Sequence, residues 1–412
     1  MNRRQFIKRA GVIGGAVGAL GLVGWSQWPQ ASVLNPCRAG LPSEITQHPL
    51  MSQIWAGLDP SKVWDVHTHL VGVGDSNSGA WANPKMNSMW NPLQYIQKVF
   101  YMNAGCVHDA PGQIDASFVA RIENLMDGFP LGAQILLYAF DWAHNEAGES
   151  LRDISAFYVP NAYASKIAQA HPTRIQWAAS IHPYRKDALD ALDYAVANGA
   201  RAMKWLPAAM GINPDSPKCD KFYQLLAKHD LPLITHAGHE AAVAGSAQQG
   251  FGNPLKVRRA LDFGVRVVVA HCASHGDDLD HVGKKRPSFN ILADMLDAKI
   301  SGNFDKLYAD ISAVTQFNRA NVLQTLLTKP EWHPRLLNGS DYPLPGILPL
   351  TSLGKLVKLQ LLDVSTLPFL TSLREHNPLL FDFALKRLLR SGGVGFANSV
   401  FETQDFFVKT RL

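Results

Sequence analysis

Five side chains able to bind a metal ion, together with one lysine, stand at the polar ends of short apolar runs. They are the pair His67 and His69, then Lys204, His236, His271 and Asp341. Imidazole nitrogens with a carboxylate oxygen form a donor set suited to zinc first, with manganese, iron or nickel as alternatives. A divalent ion on three or four such donors keeps a position for water and lowers that water's pKa from about 16 to about 7. The chemistry to expect is attack of an activated water on a carbonyl, with Asp341 as general base and His271 as the next proton carrier. Each residue alone has a plainer explanation. His-x-His is a weak signal, a lone histidine is often a core residue, Lys204 could snorkel to the surface, and Asp341 could cap a turn.

What joins them is the series of elements they terminate. Apolar runs at residues 63–67, 134–140, 175–180, 200–204, 233–236, 265–270, 307–311 and 335–340 each end in polar residues, and most are followed by helix-like stretches such as 188–198 and 220–230. This is the pattern of parallel β/α units. Eight of them predict an α/β protein whose sheet closes into a (β/α)8 TIM barrel, and in such a barrel reacting groups come from the C-terminal strand ends. The period of two puts His67 and His69 on one face of the first strand. The stretch 72–132 between the first two strands is too long for a simple crossover and predicts a helical insertion over the mouth.

The order His-x-His, Lys, His, His, Asp on successive strands resembles the amidohydrolase superfamily. The strings Asp65-Val-His-Thr-His-Leu70, Pro232-Leu-Ile-Thr-His-Ala-Gly238, Ala270-His-Cys272 and Gly339-Ser-Asp-Tyr-Pro343 are similar to its amidohydrolase-2 branch, as is Asn377-Pro-Leu-Leu-Phe381 to the branch's closing helix. The resemblance spans roughly residues 63–389. It implies a metal-dependent hydrolase of an amide, lactone or ester in a small-molecule substrate. His67, His69 and Asp341 would hold one ion, with His236 and His271 holding a second or serving the first. Lys204 would be a carbamylated bridge in a two-ion site, although one-ion members carry a lysine there as well. The branch also contains non-oxidative decarboxylases of aromatic or unsaturated acids, which is the second reading. An exported metal-binding protein without activity is the third.

Substrate contacts are expected from Trp142, in a loop near the mouth, from Trp205, beside Lys204, and from Arg185, which could pair with a carboxylate. The tryptophans would equally serve as lid packing, and Arg185 as an exposed helix-start residue.

At the N-terminus, Arg3-Arg4-Gln5-Phe6-Ile7-Lys8 precedes a glycine-rich apolar run from Gly11 to Gly24. The string resembles the twin-arginine export signal. It implies the export machinery as a partner and a periplasmic or exported location, with the segment either removed near Ala31 or kept as an anchor. The expected organisation is a signal segment at 1–31, an extension at 32–62, the barrel at 63–390 and a tail at 391–412. Arg3, Arg4, Lys8 and Arg9 supply most of the net charge of +5. The remainder is nearly neutral, so no nucleic-acid partner is expected. A hydrophobic content of 47% against 18% charged residues fits a large buried core. Homo-oligomer formation is left open. Four scattered cysteines read as reduced or adventitious thiols, with a single bridge such as Cys37 to Cys106 the alternative after export.

Overall fold

The computed structural model describes residues 33–107, 110 and 112–408. The export signal falls at residues 1–31, outside the described residues. Eight parallel strands run in chain order around one sheet: β1 (Trp64–His69), β2 (Gln134–Tyr138), β3 (Ile175–Ala179), β4 (Ala202–Trp205), β5 (Leu233–His236), β6 (Val267–Ala270), β7 (Leu307–Asp310) and β8 (Leu336–Leu337). All eight expected strands are present. The sheet closes where the chain beyond β8 meets β1, through Val66 N to Asn338 O at 2.9 Å, Asp341 N to His67 O at 2.8 Å and His69 N to Tyr342 O at 2.8 Å. The protein is a TIM barrel.

The strands are short and almost wholly buried because both faces are covered. One parity packs the interior: Trp64, Val66, Leu136, Tyr138, Ala178, Ala202, Ile234 and Val268 form a single cluster. The other parity, including Ile135, Leu137, Met203, Leu233, Val267 and Val269, joins the larger core shared with the helices. In β1 the pairing register with β2 shifts between Asp65 and Thr68. That irregularity lets Trp64 and Val66 fill the interior while His67 and His69, of opposite parity, also face inward, as bulges do when they re-aim a side chain.

The insertion between β1 and β2 carries the helices Pro92–Ala104 and Ile114–Met126. Asp115 anchors it by accepting from Val73 N (2.6 Å), Gly74 N (2.9 Å) and the Ser78 hydroxyl. Cys37 and Cys106 form a disulfide that fastens the segment before the barrel to this insertion, while Cys219 and Cys272 are buried free thiols. The reading of four reduced thiols is thus corrected for one pair. Residues 391–408 pack under the barrel, where Phe407 stacks on Trp64 with centroids 5.7 Å apart and Thr403 Oγ1 donates to Trp64 O.

The helix Pro378–Leu388 places a fully buried Lys386 under the join of β8 and β1. Its ammonium donates to Gly339 O at 2.6 Å and pairs with Asp382. Gly339 is required by close approach, since an added Cβ would lie 2.5 Å from His67 Cβ. Removing one partner of a buried pair strands the other charge. Lys386→Met should therefore cost about 3–5 kcal/mol in denaturant unfolding, and adding Asp382→Leu should recover part of that loss. Equal stability of wild type and Lys386→Met would show that the pair does not hold the join.

Candidate metal centre

Five of the eight strand ends contribute, each through its position on the barrel rim. His67 and His69 come from β1, Lys204 from β4, His236 from the last residue of β5, His271 from the residue after β6, and Asp341 from beyond β8. All six line one cavity of about 400 Å³. Asp341 and His271 hold left-handed backbone conformations, with φ of +64° and +55°. Such conformations are sparsely populated and persist where surrounding structure enforces them.

Asp341 Oδ1 lies 3.1 Å from His69 Nε2 and 3.4 Å from His67 Nε2. The opposite edges of the rings are already engaged. His67 Nδ1 donates to Asp310 Oδ2 at 2.9 Å, and His236 Nδ1 faces Glu240 Oε2 at 3.3 Å. His271 Nδ1 lies 2.7 Å from Ser312 Oγ, whose hydroxyl in turn donates to Asp310 Oδ1. With every Nδ1 committed to an acceptor, the network assigns the lone pairs of all three rings to Nε2. These point toward the cavity, which is how outer hydrogen bonds orient ligating histidines. His236 Nε2 is buried and has no hydrogen-bond partner among the described residues. A buried, unpaired acceptor beside two others and a carboxylate is what a cation site looks like before its ion is counted.

Two triads have the spacing to hold an ion: His67, His69 and Asp341, and His67, His271 and Asp310. The first fits better. Asp310 already accepts from His271 N (2.9 Å), Ser312 N (3.0 Å), the Ser312 hydroxyl and His67 Nδ1, so its lone pairs are spent on orientation.

Burial drives the His67 and His271 imidazoles well below their ordinary pKa, with Lys204 adding to the effect at His67 and His67 adding to it at His271. His236 is lowered by burial too. Neutral imidazole is the form that ligates. Lys204 Nζ sits 3.2 Å from His67 Nε2 and 5.0 Å from the centre of the Tyr138 ring. Burial pushes this lysine down to about 8, against the opposing pull of Asp310, Asp341 and Glu240.

The three expected substrate contacts are not on the cavity wall. Trp205 has the outward parity of β4: it is fully buried against Phe222 and Tyr223, with its indole N–H donating to Ile181 O at 2.9 Å. Trp142 stacks on Tyr158 at 4.3 Å and packs beside Trp81. Arg185 is committed to carboxylates of its own chain, Asp141 at 2.9 Å and Asp187 at 2.6 Å. The wall is instead Ile96, Phe100 and Tyr101 of the insertion with Phe140, Phe157 and Leu344, and the polar side adds Glu240, His275 and Arg319. Of the residues missed, Asp310 had a visible signal as the carboxylate ending the seventh apolar run. Glu240 had one in its i+4 spacing from His236. Arg319, in an irregular loop, had none.

No curated protein matches the sequence. Among solved structures, an uncharacterised TIM-barrel protein from Bordetella bronchiseptica is similar at 16% identity and a TM-score of 0.46, covering 74% of this chain and 94% of that one. A probable 2-pyrone-4,6-dicarboxylic acid hydrolase from Acinetobacter baumannii is similar at 14% identity and 0.40, covering 68% and 84%. A 2,6-dihydroxybenzoate decarboxylase from Rhizobium is similar at 12% identity and 0.39, covering 72% and 99%. The amidohydrolase family model matches residues 64–347, well over half of the sequence, and the chain belongs to that family.

Proposed function

We propose that the protein is a metal-dependent hydrolase cleaving an amide, lactone or ester bond of a small molecule. The observation that carries this reading is the convergence of His67 Nε2, His69 Nε2 and Asp341 Oδ1, beside the unpartnered His236 Nε2, at the floor of an apolar cavity. His67, His69, His236 and Asp341 would hold one divalent ion. Zinc suits these donors first, with manganese, iron or nickel as alternatives. When bound, the ion polarises a carbonyl and makes a water more acidic.

The chain's own residues do the rest. Asp341 has two oxygens: Oδ1 lies beside the histidines, and Oδ2 takes the proton of the attacking water and returns it to the leaving group. His271, tethered at Nδ1 by Ser312, offers Nε2 as a second proton site. Phe100, Phe140 and Phe157 hold the substrate body and exclude bulk water. Lys204 decides the ion count in this reading: as an ammonium it leaves a one-ion site, and as a carbamate it supplies an oxygen donor for a second ion.

Purified protein should contain about one to two equivalents of transition metal, and Asp341→Asn should lower turnover of an ester or lactone about 100-fold or more while retaining metal. Elemental analysis finding under about a tenth of an equivalent in chelator-free protein would reject the site. Near-native turnover of Asp341→Asn would remove Asp341 as the base, and release of carbon dioxide from an aromatic acid would replace hydrolase with decarboxylase.

We further propose export by the twin-arginine route to the periplasm. What supports it, besides Arg3 and Arg4, is the Cys37–Cys106 disulfide, since such bonds persist in oxidising compartments. Replacing both arginines by lysine should leave folded protein in the cytoplasm. Fractionation showing unchanged periplasmic recovery would refute the route.

A further inference from the structure

Arg319 is an unusual group in this cavity. It lies in the loop after β7, keeps only 8% of its surface exposed, and lines the same space as the candidate metal ligands. Its guanidinium makes one hydrogen bond among the described residues, Nη1 to Ser274 Oγ at 3.2 Å, and forms no ion pair there. Its Nε is buried and without a partner. The contrast with Arg374 is instructive. That residue is also buried with unpartnered nitrogens, Nε and Nη2, but it lies away from the cavity, its Nη1 donates to two carbonyl oxygens, of Leu348 and Thr351, and its guanidinium lies 4.8 Å from the centre of the Phe381 ring. Arg319 has a single neutral hydroxyl.

A buried charge without a counter-ion is strongly unfavourable, so a fold that retains one in a ligand cavity gains when an anion arrives. The carboxylates nearest in effect, Asp341, Glu240 and Asp310, act on Arg319 only at a distance, and each already has its own partners on the histidine side. The guanidinium fork matches a planar carboxylate in two-point geometry. Gln316 and Asn318, from the same loop, add amide groups to that side of the cavity, while Phe100, Phe140, Phe157 and Leu344 face an apolar body.

We propose that Arg319 is the specificity-determining residue for a substrate monocarboxylate: an acid with an aromatic or alkyl body whose carboxylate sits on Arg319 while a separate carbonyl meets the metal floor. The assignment Arg185 was expected to fill passes to Arg319. This rests on the cavity being the substrate site of the hydrolase reading, but not on hydrolysis itself.

The test uses probes that are not turned over. Binding of 3-phenylpropanoate and of 3-phenylpropan-1-ol to the metal-loaded enzyme should differ by about 10-fold or more in favour of the acid, and Arg319→Gln should remove most of that preference. Alcohol affinity and metal content should be unchanged. A carboxylate seated on the metal instead would keep its preference in Arg319→Gln with metal content intact, and that result overturns the proposal. Should Arg319→Gln fail to fold, Arg319→Lys keeps the charge and loses the fork: a several-fold loss of acid binding alone supports the proposal, and no loss overturns it. Failure of the enzyme to cleave any ester, lactone or amide would count against the hydrolase reading and leave this selectivity measurable.

Discussion

The carboxylate of Asp310 accepts hydrogen bonds from three parts of the barrel at once, and the geometry of the site depends on it. It holds the His67 ring of β1, the backbone N–H of His271 after β6, and the backbone and hydroxyl of Ser312 after β7. Through Ser312 it also sets the His271 ring. Two imidazoles from opposite sides of the β8–β1 join are thereby fixed in one tautomer with their lone pairs facing the cavity. A buried carboxylate with this many donors is held in one place. Ligand geometry within a few tenths of an ångström is the kind of precision a metal site requires, and it comes from such outer contacts rather than from the ligands themselves.

Asp341 is held by a different device. Its backbone N–H donates to His67 O, so the hydrogen bonds that close the barrel also set the distance between the carboxylate and the two β1 histidines. Gly339 permits the close approach, and Lys386 pins the Gly339 carbonyl from beneath. Barrel closure and site assembly are one event.

The strands were legible because short Val, Ile and Leu runs buried on both faces leave a strong signal, and because the chemistry-bearing residues end those runs. His67, His69, His236, His271 and Asp341 were readable for that reason, and the cavity does bring them together. Trp205 was misread although the rule that corrects it was available: Lys204 faces inward, so its neighbour in a strand must face the helices. Arg185 was only half readable from sequence: Asp187, which takes two of its hydrogen bonds, is two positions away, but Asp141, the buried carboxylate it also pairs with, stands 44 positions away on another strand's loop. The cysteine pair is a similar case. Its Cα atoms come within 5.5 Å only because the insertion folds back on the segment preceding the barrel, a tertiary fact with no local trace.

The cavity divides its labour between two kinds of chain. Strand ends supply a rigid polar floor, while the insertion and loops supply apolar walls, so wall substitutions can alter the preferred body of a ligand without disturbing the chemistry below. The two are nevertheless joined at one segment. Glu240 accepts from Ala242 N and Val243 N with one oxygen and faces His236 with the other, and Tyr101 of the insertion donates to Ala242 O at 2.6 Å. A ligand that displaces the helix Pro92–Ala104 at Ile96 or Phe100 therefore pulls on the same turn that sets the His236 ring. Gln97 of the same helix donates to Ala241 O at 3.3 Å, so the wall and the orientation of a floor donor are tied to one short turn.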